Sequence, residues 1–207
     1  MKSSMRTLLG ALLLATAVVT GCASVPQDKP LRERLDDATG ATVTTLERPM
    51  AFYRERPMLA ANARDYIYIG PVEVNRSGEL TYMLWATYAS TIDRGRGSGL
   101  RVPARAYLML DGTPLELTAA NRPAHRRQAL GEWLYVAPIV GGNRVLYDLT
   151  RAQVVAITSA SDLGLVTEQE DGATAEFEAW RDSTAELARF SRYLQVESSN
   201  RMASTVE

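Results

Sequence analysis

The chain has 207 residues, of which 46% are hydrophobic and 23% charged, and its formal net charge is −1. That hydrophobic share excludes a disordered chain, and the near-neutral balance excludes nucleic-acid or polyanion binding as a property of the whole surface. One cysteine and one histidine exclude internal disulfides, zinc–thiolate sets and histidine-rich metal sites, and no cofactor is expected.

Residues 1–21 have the three parts of an export signal. Lys2 and Arg6 make a positive start, and no acidic residue occurs before Asp28. Thr7 to Val19 is an uncharged, mostly apolar run of 13 residues. That suits the hydrophobic region of a signal and is too short for the ~20 residues of a membrane span. The small residues Thr20 and Gly21 then precede Cys22.

Val19-Thr20-Gly21-Cys22 resembles the lipobox of bacterial lipoproteins. The resemblance implies that the Cys22 thiol takes a diacylglycerol, that the signal is removed, and that Cys22 becomes the acylated first residue. Two or more acyl chains, palmitate among them, anchor a protein stably at ~0.8 kcal/mol per buried CH₂. Losing Lys2 and Arg6 with the signal moves the formal charge from −1 to −3. Ala23, not the aspartate that retains many such proteins in the inner membrane, follows the cysteine. By that resemblance the destination is the outer membrane with the domain in the periplasm, the inner membrane being the alternative.

Residues 22–41 read as the lipidated terminus and a tether. Ala23 to Pro30 is small, polar and proline-punctuated, and Leu31 to Asp37 is expected to form one or two helical turns ending near Gly40. From 42 to 194 the chain reads as a single β-rich domain. Thr42–Leu46 and Met50–Tyr53 are β-favouring runs. Tyr66–Val74 and Glu79–Tyr88 flank Asn75-Arg76-Ser77-Gly78, whose last residue suits a left-handed position, so a hairpin is expected. Pro71 predicts a bulge or an unpaired edge in its strand.

A second hairpin joins Ala106–Leu110 to Leu115–Thr118 across Asp111-Gly112-Thr113, and a third joins Trp133–Ala137 to Arg144–Tyr147. Thr150-Arg151-Ala152-Gln153 resembles a capping box and predicts a helix over 150–158, with a strand as the competing reading of Val154–Ile157. Leu163–Thr167 and Thr174–Trp180 form a further hairpin. Ser183-Thr184-Ala185-Glu186 opens a last helix with Leu187, Phe190 and Leu194 on one face, and 195–207 reads as a flexible tail. Sequential hairpins predict a β-sandwich or open barrel with a C-terminal ββα-like addition, α+β overall.

Candidate chemistry is sparse. His125 sits in Arg122-Pro123-Ala124-His125-Arg126-Arg127 and reads as a surface histidine in a loop. Asp162, Glu168, Glu170 and Asp171 are the densest acidic set, but they lack the spacing of a calcium loop. Asp93–Arg101 is a glycine-rich loop whose Arg94, Arg96 and Arg101 offer contacts for an anion or a lipid head group. Its competing reading is a plain hairpin loop. Tyr66, Tyr68, Tyr82, Trp85 and Tyr88 crowd one hairpin. Alternation forbids Tyr66/Tyr68 and Tyr82/Trp85 from all facing one way, so Tyr82 and Trp85 are candidates for a partner surface, against core packing.

The run Ala63–Tyr66 through Gly70–Arg76, continuing in Leu84-Trp85 and Ser90–Arg94, is similar to a group of uncharacterised proteobacterial lipoproteins. That similarity implies lipoprotein identity and no particular activity. The expectation is a non-enzymatic envelope module held to the membrane by Cys22, with an envelope protein, peptidoglycan or lipid as partner. The alternative is an envelope hydrolase or lipid-handling enzyme that uses carboxylates such as Asp93 or Asp148 with nearby arginines.

Overall fold

The computed structural model describes residues 31–37, 39–92, 100–120, 138–139 and 142–204. Cys22, the signal segment, His125, the strand expected at Trp133–Ala137 and the loop of Arg94 and Arg96 lie outside them.

Ten strands run in chain order: β1 (Leu31–Asp36), β2 (Ala41–Leu46), β3 (Met50–Glu55), β4 (Arg64–Arg76), β5 (Glu79–Ser90), β6 (Arg105–Leu110), β7 (Thr113–Ala119), β8 (Asn143–Leu149), β9 (Leu163–Glu168) and β10 (Thr174–Ala179). Helix α1 (Arg151–Ser159) lies between β8 and β9, and α2 (Thr184–Ser204) follows β10. Eight strands close on themselves in the order β4-β3-β10-β9-β6-β7-β8-β5, and β5 returns to β4. The architecture is therefore a closed antiparallel barrel and not a sandwich. The hairpin β9–β10, expected as part of an appendage, supplies two of the staves.

Local chemistry accounts for the best-read elements. Ser77 and Gly78 have φ of 51° and 89°, and Asp111 and Gly112 have 48° and 81°. Positive φ at both central residues is the twist-matched two-residue turn that joins antiparallel strands. At Thr150 the hydroxyl accepts from the Gln153 amide while the Gln153 side chain accepts from the Thr150 amide, so the capping box sets the start of α1 and the helix reading holds. The start of α2 differs from expectation. Asp182 Oδ1 accepts from the Thr184 amide at 2.8 Å, while Ser183 Oγ is buried without a hydrogen-bond partner among the described residues. The Thr184 hydroxyl and amide hold the Asp182 carboxyl below its usual range.

Two expectations near the ends are corrected. Leu31–Asp36 is a strand, not helical turns: it pairs residue for residue with β2, from Leu31 opposite Leu46 to Asp36 opposite Ala41. The folded unit thus takes in residues assigned to the tether. At the other end α2 continues past Leu194 to Ser204, where a flexible tail was expected.

Pro71 has the unpaired edge position that was one of its two expected outcomes, and the bulge lies opposite it, in the β2–β3 connection rather than in its own strand. β4 pairs without a break with β5, but its other edge changes partner from β3 at Ile69 to β2 at Val72. Residues 46–49 stand opposite Gly70 and Pro71 alone. Proline has no amide hydrogen to offer on this edge, and its carbonyl instead accepts from the Thr45 hydroxyl at 3.0 Å.

Both faces of the wall are apolar. Inside, Met50, Phe52, Ile67, Ile69, Leu84, Tyr88, Leu108 and Leu165 are fully buried, and Val154 and Ile157 of α1 join Leu187, Phe190 and Leu194 of α2 in the same cluster. The helices therefore cover the core that the staves leave open. The Tyr193 hydroxyl donates to Glu73 at 3.0 Å and lies 3.2 Å from the Thr44 hydroxyl, which fixes α2 to β2 and β4. Near the other end of β4, the buried Asp65 takes Arg54 at 2.8 Å and Arg56 at 3.4 Å. Pairing is what makes a buried carboxylate tolerable. On the outside, Val43, Val72, Met83, Trp85 and Leu146 form a second buried cluster. Gly70 is opposite Trp85, and a Cβ there would lie 2.6 Å from the indole nitrogen. Only glycine leaves room for that ring.

Candidate functional site

The partner surface weighed against core packing for Tyr82 and Trp85 is not one. Tyr82 is 8% exposed and Trp85 is 0% exposed. Tyr82 faces the barrel interior with Leu84, and Trp85 lies in the outer buried cluster. Core packing holds for both. The alternation argument itself is sound, because Tyr66 and Tyr68 are on the outer face while Tyr82 and Tyr88 point inward.

Arg101 is exposed at the border of the described residues, next to Leu100, whose carbonyl accepts from Asn143 at 3.0 Å. It does not line either of the grooves described below. Asp162 and the Glu168–Asp171 turn are at opposite ends of β9, so the acidic set is not gathered. Asp148 is exposed on β8 opposite Met83 and Thr118. Asp93 lies outside the described residues.

The structure assembles a different site on the outer wall. A groove of about 620 Å³ runs where β3, β4 and β10 meet the bulge. Tyr66 and Tyr68 of β4, Ala51 of β3 and Trp180 just beyond β10 form its apolar surface, together with Pro49, Pro138 and Ile139. Arg48 and Arg181 supply cations and Thr91 a hydroxyl, and no acidic residue is among the described lining residues. The volume falls in the ~300–1,000 Å³ range of small-ligand sites.

Each wall has a local cause. Arg48 and Pro49 belong to the bulge, with Arg48 exposed, and Arg181 donates to the Pro49 carbonyl at 2.8 Å, tying the end of β10 to it. The Trp180 amide donates to Ala51 at 2.7 Å, which places the indole beside β3. Trp180 is 49% exposed. Its ring meets Tyr53 edge-on with centroids 5.0 Å apart and Tyr66 at 5.8 Å, while Tyr66 and Tyr68 are stacked at 6.1 Å with planes 14° apart. Arg64 lies over the Trp180 ring at 5.3 Å and bonds Glu55 at 2.9 Å. Hydrogen bonding to Tyr66 and then Glu55 raises the Arg64 pKa further, so it remains a cation. Rings held this way present a fixed platform.

A second groove of about 450 Å³ shares Ala51, Trp180 and Arg181 with the first and adds Ser161, Asp162, Asp182 and Thr184. Trp180 and Arg181 are thus a ridge between an aromatic, cationic groove and a hydroxyl- and carboxylate-lined one.

Sequence reasoning noted the crowding of Tyr66 and Tyr68 and missed Trp180, Arg48 and Arg181. An available signal was the polar pair Arg181-Asp182 directly after Trp180, which marks a strand end where a tryptophan is seldom fully covered. No helix among the described residues is long and apolar enough to cross a membrane. No protein-family model matches the chain, and neither a curated protein nor a solved structure was found to match it.

Proposed function

We propose that the chain is a lipid-anchored protein of the bacterial cell envelope. Acylated Cys22 holds it to the outer membrane, and the barrel faces the periplasm as a non-enzymatic binding or structural module. The anchor rests on one observation, the Val19–Cys22 sequence at the end of a positively started apolar run. The binding-module reading is supported by where the barrel keeps its accessible chemistry. Its interior is filled by side chains such as Met50, Phe52 and Tyr88, as an eight-stranded barrel allows, which leaves the outer wall and the rims as accessible surface. Here the outer wall carries an aromatic groove.

Labelling with an alkyne palmitate analogue in a Gram-negative host, followed by fractionation, tests the anchor. The wild-type chain is expected to take label and sediment with outer membranes, and Cys22→Ala to be unlabelled and released into the soluble periplasmic fraction. A labelled Cys22→Ala chain, or an unlabelled wild type, would overturn the reading.

A further inference from the structure

We infer that the groove flanked by Trp180 binds a glycan that carries short carboxylate-bearing peptide branches, the chemistry that peptidoglycan offers to a periplasmic domain. The inference rests on the envelope reading for the identity of the polymer and on the groove alone for the chemistry.

Three observations carry it. First, β3 is hydrogen-bonded to β4 on one edge and to β10 on the other, and β4 carries β5 on its far edge. Apart from the break at Gly70–Pro71 and the short β3–β10 seam, the wall beneath the groove is paired on its edges, so an extended peptide finds no continuous edge to add to as a strand. Recognition must come from side chains. Second, those side chains are flat rings and two guanidiniums, of which Arg181 is held by the Pro49 carbonyl. Tyr66 and the half-exposed Trp180 give apolar faces of the kind on which the C–H face of a sugar ring stacks, and the buried Tyr68 stacks against Tyr66 and steadies it. Third, the charge is one-sided. Arg48 and Arg181 line the groove with no acidic side chain among its described lining residues, and a guanidinium pairs with a carboxylate through two parallel hydrogen bonds.

The adjoining groove extends the argument to a polymer. Ser161, Asp162, Asp182 and Thr184 on the far side of the Trp180–Arg181 ridge are groups that hydrogen-bond sugar hydroxyls. A glycan strand crossing the ridge would place a carboxylate by Arg48 and Arg181 and a neutral stretch beyond Trp180.

The test uses the full-length chain in detergent with purified sacculi. Wild type is expected to co-sediment with sacculi and to bind a soluble disaccharide-peptide fragment. Amidating the carboxylates of the sacculi, or replacing Arg48 by Glu, is expected to weaken binding by about tenfold, as for loss of a charge-assisted pair. Trp180→Ala should weaken it comparably. Arg48 is exposed, so Arg48→Glu is the variant least exposed to a folding defect, and circular dichroism of both variants checks this. Failure to sediment with sacculi overturns the inference. So does undiminished binding by Arg48→Glu, or binding of poly-glutamate as tight as that of the sugar fragment, which would indicate an acidic peptide. None of these outcomes bears on Cys22 acylation, which palmitate labelling decides separately.

Discussion

Tyr88 and Tyr147 meet inside the barrel with their hydroxyls 2.6 Å apart. Burial pushes both phenols above the ordinary value of 10.0, Tyr88 far above it, and the neighbouring ring adds to the effect on Tyr88. The folded state then keeps protons that the unfolded chain releases. The stabilisation is complete below pH ~10 and is lost as pH rises beyond it. Tyr147→Phe takes the bonding partner from a buried hydroxyl and is expected to cost about 1–3 kcal/mol. The double change to phenylalanine at both positions should cost less than the two single changes summed and should flatten the alkaline decline. Urea unfolding of the four proteins at neutral pH and above pH ~10 measures both. Additive single costs would show that the two hydroxyls do not act as a pair.

Among the elements, the barrel is two sheets joined by thin seams. β4 and β5 share twelve registered pairs, from Asp65–Ser90 to Arg76–Glu79. By contrast β3 meets β10 only at Tyr53–Glu178 and Phe52–Ala179, and β7 meets β8 only at Thr118–Asp148 and Ala119–Tyr147. Between the seams lies the four-stranded sheet β10-β9-β6-β7. Local opening begins where few hydrogen bonds must break. The Trp180 amide on Ala51 and the Ala120 amide on Leu146 are therefore expected to exchange with solvent before the amides of β4 and β5. Hydrogen exchange read by mass spectrometry or NMR resolves this, and equal protection across seams and hairpin would contradict it.

These seams also explain what could be read in advance. Hairpins announce themselves through adjacent residues: Ser77-Gly78 and Asp111-Gly112 carry their turns, and Thr150 with Gln153 carries the start of α1. The β3–β10 seam joins residues 125 positions apart through two pairs, and nothing local marks such a contact, so the sequence suggested a sandwich or open barrel. The groove shared that obscurity, since Trp180 reaches Tyr53 and Tyr66 only because the seam closes. β1 was misread for another reason. Four of its six residues are exposed, and a strand without an apolar face is recognised only by the partner it pairs with.

At the scale of the whole molecule, β1 lies outside the closed ring and among the described residues pairs with β2 only. Charged Arg32, Glu33 and Arg34 on this outer strand discourage pairing with another chain. On the reading that Cys22 is the anchor, this edge strand is the first described element after it. Tension between membrane and barrel reaches the strand at Leu31, which is held by the pairing with β2 and by the packing of Leu31 against the core. β1 is then a reserve of slack: its release with the turn up to Gly40 adds roughly 35 Å of extended chain while the eight closed staves remain intact. Pulling single molecules from Cys22 against the C-terminal end should show this short lengthening before the main rupture. A barrel that gives way first would mean that the strand carries load as part of the body. If the slack yields first, the protein can follow changes in the distance between membrane and partner without unfolding its binding wall.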